Sequence, residues 1–382
     1  MRLPVWMTLG LPVVVMGGIA VVGACTPDKL QIPQDDGGTS AEACGTPSPG
    51  TFPKGDCATD QDNGPPTCHS SSACMINEAV CGSKATCLPM STNKGKEVLD
   101  FRIRRLSVLA PKALASGTIQ TAVIDHGITL GAKQCGENGD GSFTWLFRVD
   151  KSANTVKTGG SPPTTDPFGI GYCFADTVVG GNRISPVTGK ISFTGNTFGS
   201  DTIPKLTVPI FVANDPNQLI LLPLSGVAVK DVTISNDGDC IGSFNPSALD
   251  DLCFDSRSDC SRWHTAGALA GYITLEEADT VPIPQLGNKS LCVMLTGGSA
   301  GPDNKCIRVN GKIKDPGDYC STSGKAGDCQ DSYWLAATFA AAAVKIKDAS
   351  TDPLCMGGTA GDGGMGDGGG DAGNDASDAA HD

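Results

Sequence analysis

Residues 98–105 read VLDFRIRR, and the pattern of this stretch decides the fold class. Leu99, Phe101 and Ile103 are apolar and alternate with polar or charged neighbours. A period of two puts every second side chain on the same face, which is typical of a β-strand with one buried face. The stretch therefore predicts a strand whose apolar face packs against a core.

Other stretches also combine apolar and β-branched residues with Gly or Pro punctuation, which favours strands. They are SFTWLFRVD (142–150), GKISFTGN (189–196), KLTVPIFVA (205–213), LILLPLSGVAVKDVTIS (219–235) and KSLCVMLTGG (289–298). In the first of them, Phe143, Trp145 and Phe147 fall on one side. Pro209 and Pro223 cannot donate a ladder hydrogen bond, so they suit edges or bulges. Many short strands predict a mainly β fold, a disulfide-rich sandwich or jelly-roll-like domain.

One helix is predicted at the C-terminal end of this domain, DSYWLAATFAAAAVKIK at 331–347. Alanine and leucine are strong helix formers, and Asp331 or Ser332 can cap the first turn. Because no residue from 333 to 344 is charged, we expect a buried core helix that is too short to cross a bilayer. ITLEEADTV at 273–281 suggests one short helical turn.

The chain is acidic, with a formal net charge of −13. Binding to nucleic acid needs clustered Lys and Arg to neutralise phosphates, so this composition argues against a nucleic-acid partner. The one basic cluster is Arg102, Arg104 and Arg105, inside the strand predicted above. We expect these arginines on the solvent face of that strand, with a local anion-binding strip as the alternative.

The chain has 17 cysteines and four histidines, and it contains no Cys-x-x-Cys pair. The ligand spacings of structural zinc sites are therefore missing, and no metal site is predicted. So many cysteines predict disulfides and an oxidising compartment. Since the count is odd, one cysteine should have a different role. The disulfide candidates are Cys44, Cys57, Cys68, Cys74, Cys81, Cys87, Cys135, Cys173, Cys240, Cys253, Cys260, Cys292, Cys306, Cys320, Cys329 and Cys355.

The N-terminus has the pattern of an export signal. Arg2 precedes an uncharged run over residues 3–27, and the small residues Gly23 and Ala24 lie directly before Cys25. Val22-Gly23-Ala24-Cys25 resembles the lipobox of bacterial lipoprotein precursors. A retained membrane span and an ordinary cleaved signal remain as alternatives.

This resemblance covers the first 25 residues and implies that Cys25 becomes the first mature residue. Its thiol would carry a diacylglycerol and its amine an acyl chain such as palmitate, which together hold a protein firmly on a membrane. Thr26 follows Cys25, whereas an Asp there favours retention in the inner membrane. The resemblance thus suggests an outer-membrane lipoprotein, facing either the periplasm or the exterior. Removing Cys25 leaves an even 16 cysteines.

Composition divides the mature chain into four parts after the signal at 1–24. These are a flexible tether (25–43), a small six-cysteine module (44–90), the β-rich domain (97–348) and a disordered tail rich in Gly and Asp (356–382). The module is a structural spacer or a protein-binding knob. Its six cysteines and the ten that follow are both even counts, which supports a boundary near residue 90. Nearness in sequence suggests local bridges Cys253–Cys260 and Cys320–Cys329.

Catalytic motifs are scarce. GGSAG at 297–301 fits the nucleophile elbow of serine hydrolases, but an elbow must open a helix and precede its histidine, and the only later one is His381. We interpret it as a glycine-rich turn. His126 or His264 could serve another order of triad, although nothing selects one, and we expect His264 to be structural.

Cofactor motifs are equally scarce, since no phosphate loop or dinucleotide fingerprint occurs. CGENGDGSF at 135–143 suggests a hairpin loop, with an irregular calcium site at Glu137, Asn138 and Asp140 as the alternative. We therefore predict no catalytic residue and no cofactor.

The sequence as a whole predicts a lipid-anchored cell-envelope protein whose β domain binds a protein or glycan partner or has a structural role. Two alternatives remain open. One is a membrane-anchored extracytoplasmic hydrolase, and the other is a carrier of a lipid or small ligand. A polar pocket would favour the hydrolase, a closed apolar cavity the carrier, and an exposed apolar patch the binder.

Overall fold

The computed structural model describes most of the β-rich domain and two segments before it. The described residues are 46–54, 87–116, 119–130, 139–179, 182–212, 215–244, 263–348 and 350–356. The predicted lipobox and tether, most of the six-cysteine segment and the tail beyond residue 356 lie outside them.

The fold is mainly β, as the alternating stretches predict. Its strands are β1 Val98–Ala110, β2 Thr144–Asp150, β3 Thr155–Ser161, β4 Thr177–Val179, β5 Asn182–Ile184, β6 Val187–Thr194, β7 Thr197–Ser200, β8 Ile203–Val212, β9 Asp215–Lys230, β10 Val232–Thr233, β11 Cys240–Ile241, β12 Ser243–Phe244, β13 Trp263–His264, β14 Ala268–Thr274, β15 Pro282–Ile283, β16 Lys289–Ser290, β17 Arg308–Val309, β18 Lys312–Ile313, β19 Tyr319–Cys320, β20 Lys325–Ala326 and β21 Ser332–Ala343.

The helices are short. They are α1 Lys112–Ala115, α2 His126–Ile128, α3 Leu275–Ala278 and α4 Leu291–Thr296, with a π-helical segment Gln120–Asp125 and 3₁₀ turns Pro284–Leu286 and Pro353–Cys355. The short helical turn expected within 273–281 is confirmed as α3. The hydroxyl of Thr274 caps it by accepting the Glu277 N–H at 3.2 Å.

One large antiparallel sheet dominates, in the order β10-β7-β6-β3-β2-β1-β21-β14-β9-β8. The sheet curls until its two flanks meet. The backbone N–H of Val229 in β9 donates to the Ser200 hydroxyl of β7 at 3.0 Å. A Cβ placed on Gly160 of β3 would lie 2.4 Å from the Pro209 ring of β8. The enclosed inner face forms the main core.

The inner face of the sheet holds the apolar side chains that the sequence pattern places together. Phe101 of β1 is fully buried, and Trp145 and Phe147 of β2 lie in the same core cluster. The Trp145 and Phe147 rings stack with centroids 6.1 Å apart, and Phe147 lies 5.5 Å from Phe339 of β21. The prediction that Phe143, Trp145 and Phe147 share one side is confirmed.

The prediction of a C-terminal helix is wrong, because residues 332–343 form strand β21 in the middle of the sheet. This strand pairs with β1 on one edge and β14 on the other, and both of its faces are buried. An uncharged run is equally typical of a buried helix and of a strand covered on both faces. Pairing along both edges outweighs helix propensity, which differs between ordinary residues by less than about 1 kcal/mol each.

The apolar run KSLCVMLTGG is also misassigned as a strand, since Leu291–Thr296 is helix α4. The Ser290 hydroxyl accepts the Val293 N–H at 3.3 Å, and Gly297 ends the helix in the left-handed region at φ 63°. A serine before the run and a glycine after it are helix boundaries, so the capping residues were the better guide.

The two prolines lie where the sequence places them. Pro209 belongs to β8, the last strand of the sheet order. Pro223 belongs to β9 and precedes Ser225, the residue at which the pairing of β9 with β14 ends. Neither proline therefore interrupts a ladder on both sides.

The structure overturns the expectation for the arginines. The side chains of Arg102, Arg104 and Arg105 are buried, and Arg102 is 0% exposed. The outer face of β1 is covered by a second layer that includes Met90 and Tyr172. The strand thus has two buried faces, which excludes both a solvent face and an open anion-binding strip at these residues.

Four disulfides are found within the described residues. They are Cys87–Cys240, Cys173–Cys355, Cys292–Cys306 and Cys320–Cys329. The local bridge Cys320–Cys329 is confirmed. Because Cys87 bonds to Cys240, the six-cysteine segment does not pair only within itself. The even counts of the two parts therefore do not support a boundary near residue 90.

Candidate functional site

A buried polar network joins β1 to the segment 119–130. Arg105 forms an ion pair with Asp125, and its Nε donates to the Ser107 hydroxyl at 2.9 Å. The Gln120 side chain donates to the Asp125 carboxylate at 2.6 Å. A buried cation, carboxylate and amide that share hydrogen bonds satisfy one another.

The Gln120 side chain also bonds to an edge of β1 that no described strand pairs with. The pairing of β1 with β2 ends at Arg102, so the same edge of β1 is open further along. There the Val108 N–H donates to Gln120 Oε1 at 2.9 Å, and Gln120 Nε2 donates to the Leu106 carbonyl at 2.8 Å. One amide side chain thus satisfies two backbone groups that would otherwise be buried without partners.

Arg102 holds the far end of the same segment. Its Nη2 donates to the carbonyl of Ile128 at 2.7 Å, and its guanidinium lies 5.7 Å from the centre of the Tyr172 ring. Arg104 lies 6.0 Å from the Trp263 ring. These contacts are made to the protein itself, so we assign the arginines a structural role.

An aromatic cluster lies on the outer face of the sheet, near the start of β21. The Tyr319 ring lies 4.9 Å from Trp334 and 5.5 Å from Tyr272. Phe52, from the segment before the domain, meets Trp334 edge to face at 6.4 Å. Burial raises the pKa of Tyr319 above its usual value, with a further contribution from Tyr272. The cluster is an apolar surface with polar edges, which is a common form of binding site.

A second surface feature is the loop between β3 and β4. Phe168 is 55% exposed and Ile170 is 47% exposed at its tip. The loop is well held, because the Asp166 carboxylate accepts the Gly169 N–H at 2.8 Å and Lys345 Nζ donates to the Gly169 carbonyl at 3.1 Å. Large apolar side chains kept in water on a fixed loop are typical of an interaction site.

The histidines do not form a catalytic arrangement with other described residues. His126 is exposed and His264 is half-buried. Among the described residues, neither side chain shares a hydrogen bond with a serine or a carboxylate. Ser299 of GGSAG follows helix α4, whereas a nucleophile elbow must follow a strand.

Three groups of side chains bring two sulfurs and a carboxylate within 4.8 Å of one another. In each group the two cysteines are the halves of one disulfide, so their sulfurs are not the thiolates that bind metals. In the predicted calcium loop, the Asp140 carboxylate accepts the Ser142 N–H at 2.9 Å. Glu137 and Asn138 lie outside the described residues, so the calcium alternative stays untested.

The predicted cysteines fall into two groups. Eight of them form the four disulfides, whereas the remainder lie outside the described residues: Cys25, Cys44, Cys57, Cys68, Cys74, Cys81, Cys135, Cys253 and Cys260. Sequence reasoning missed the aromatic cluster, because Trp334 was assigned to a helix. It also missed Phe168 and Ile170, although the surrounding Pro, Gly and Asp residues were a signal for an exposed loop.

In the described part of the chain, no helix combines the length and the apolar character that a membrane span requires.

Comparison with known proteins finds no family model, no curated protein and no solved structure that matches this chain.

Proposed function

We propose that this chain is a lipid-anchored protein of the bacterial cell envelope whose β domain binds a partner rather than catalysing a reaction. The lipid would be attached to Cys25. The observation that carries the proposal is the set of disulfides. Cys87–Cys240 and Cys173–Cys355 join residues 153 and 182 positions apart, and such bridges persist in an oxidising compartment.

The export signal and the lipobox supply the route to that compartment. The 16 cysteines other than Cys25 are an even number, and eight of them are paired within the described residues. Both observations support Cys25 as the one cysteine with another role. They favour an anchor over a disulfide partner at this position.

The exposed tip of the loop between β3 and β4 supports the binding role. Phe168 and Ile170 are held in water by a fixed loop, and burying either one against a partner would contribute roughly 1.5–3 kcal/mol. The partner is a protein or a glycan of the envelope. No comparable observation within the described residues favours the hydrolase or the carrier.

The anchor is tested by fractionating cells that express the full chain with Cys25→Ser. We expect the protein to leave the membrane fraction, because the thiol that carries the diacylglycerol is gone. The matched control is Thr26→Ser, which should stay on the membrane. The proposal would be overturned if Cys25→Ser stayed on the membrane and the mature N-terminus of the unaltered protein carried no acyl mass.

The binding role is tested by placing a photo-crosslinking residue at position 168 in living cells. The control is the same residue at Val309, which is 53% exposed in strand β17. We expect adducts from position 168 and none from position 309. Equal labelling from both positions, or none from either, would argue against a binding site at the tip.

A further inference from the structure

We propose that residues 46–54 are a docking strap, and that Tyr272, Tyr319 and Trp334 form a groove that binds this proline-containing segment. The groove is a peptide-binding site whose occupant is the chain's own sequence TPSPGTFPK. The inference goes beyond the proposed function and does not depend on the lipid anchor. Only the limit on the distance from the membrane, given below, rests on the anchor.

The strap meets the groove through one directed hydrogen bond and several ring contacts. The indole N–H of Trp334 donates to the carbonyl of Thr51 at 2.8 Å. The Phe52 ring stands edge to face on Trp334, and Lys230 Nζ lies 4.4 Å from the centre of the same Phe52 ring. A buried indole needs an acceptor, and the strap provides it.

The strap has the composition that such grooves recognise. Pro47, Pro49 and Phe52 are half-buried, and Pro53 is buried, while Ser48, Gly50 and Thr51 are exposed. Proline-rich segments are already extended, so they lose little conformational entropy on docking against aromatic side chains. The Thr51 N–H donates to the Ser48 carbonyl at 3.0 Å, and this turn presents Thr51 and Phe52 to the groove.

The groove is built on elements that do not need the strap for their position. Trp334 of β21 and Tyr272 of β14 are register partners in the sheet, and Tyr319 of β19 pairs with Ser332 of β21. The Asp318 carboxylate accepts the Trp334 backbone N–H at 2.8 Å. Side chains fixed by paired strands form a preorganised site, which lowers the cost of binding.

The strap fixes where the N-terminal part of the chain meets the domain. Lys54 ends the strap near Trp334, whereas Cys87 is bonded to Cys240 beside Ala342, near the other end of β21. Eight residues of a strand separate positions 334 and 342, which corresponds to about 26 Å. Lys54 and Cys87 therefore lie at separate places on the domain.

The strap also limits how far the domain can lie from Cys25. About 20 residues separate Cys25 from the strap, so the strap lies at most roughly 70 Å from the anchor. If Cys25 carries the proposed lipid, the groove end of β21 is the part of the domain that the chain ties to the membrane. Phe168 is held beside Lys345, past the other end of β21.

The test uses the full mature chain in detergent and a fluorescent peptide of sequence TPSPGTFPK. In Phe52→Ser the groove should lose its own occupant, and the peptide should bind this variant at least tenfold more tightly than the unaltered protein. Ser48→Ala, at an exposed strap position, is the matched control and should bind like the unaltered protein. A peptide with Ser in place of Phe should bind neither.

Hydrogen exchange gives a second readout that needs no peptide and applies if Phe52→Ser fails to fold. Trp334→Phe keeps an aromatic ring and removes the indole donor, and we expect exchange of the Thr51 N–H to become at least tenfold faster. Rapid exchange at Thr51 in the unaltered protein, or equal peptide binding by unaltered protein and Phe52→Ser, would overturn the strap. Neither readout changes if Cys25 carries no lipid.

Discussion

Arg105 and Asp125 form an ion pair inside the protein, between strand β1 and a segment of the chain 20 residues further on. Both side chains are largely withdrawn from water, at 9% and 13% exposure. Gln120 and Ser107 complete the hydrogen bonds around them. The sequence predicted Arg105 in contact with solvent, whereas its side chain is buried.

Breaking this pair should be costly, because the remaining charge stays buried without its partner. We expect Asp125→Ala to lower the free energy of unfolding by about 3–5 kcal/mol. The control is the exposed pair Arg183–Asp176, where Asp176→Ala should cost at most about 1 kcal/mol. Urea denaturation measures both, and equal losses would contradict the structural role of Arg105.

The contact between Gly160 and Pro209 should decide whether the sheet closes. A methyl group at residue 160 would collide with the proline ring, so Gly160→Ala should cost about 1–3 kcal/mol. In a Pro209→Ala background the collision disappears, and the same substitution should cost much less. A double-mutant cycle with additive losses would show that the two flanks do not touch in solution.

The sequence predicted the inner face of the sheet well, because alternation at Phe101 and Trp145 shows which side chains of a strand share one face. It failed for Arg102 on the outer face. Alternation separates two faces but cannot show that a second layer, built from distant residues such as Met90 and Tyr172, will cover the other one. Burial of that face is a tertiary property.

The assignment of β21 failed for a related reason. An alanine-rich run without charge is compatible with a buried helix and with a strand paired on both edges, and only its neighbours decide between them. For the same reason the aromatic groove was not predicted, since the register of β14 and β21 brings Trp334 and Tyr272 together. The strap was not foreseen because its contacts join residues nearly 300 positions apart.

The disulfides should differ in their effect on stability. In the chain-entropy model, Cys87–Cys240 stabilises by roughly 5 kcal/mol because it closes a long loop, and Cys320–Cys329 by about 3 kcal/mol. Paired Cys→Ser variants, compared by urea denaturation, check this order.

All four bridges should resist thiol reagents until reduced. Labelling of these cysteines in the folded, unreduced protein would contradict the pairing.

Acid should weaken the contacts of Asp279. Burial alone would raise the pKa of this carboxyl. However, hydrogen bonds from the Cys306 N–H at 2.7 Å, Arg308 at 2.9 Å and the Ser290 hydroxyl at 2.9 Å outweigh it and lower the pKa. A carboxyl whose pKa is lowered by folding contributes stability above its unfolded pKa of about 4, and that contribution is lost as the pH falls through the folded value.

We therefore expect Asp279→Asn to destabilise the protein clearly at pH 7 and much less at pH 2. The measurement is the urea midpoint of both proteins across this range. The exposed Asp201→Asn variant controls for removing one negative charge from an acidic chain. A stability difference between Asp279→Asn and the unaltered protein that stays constant from pH 7 to pH 2 would contradict the prediction. In that case the carboxylate would contribute through its shape and hydrogen bonds rather than through its charge.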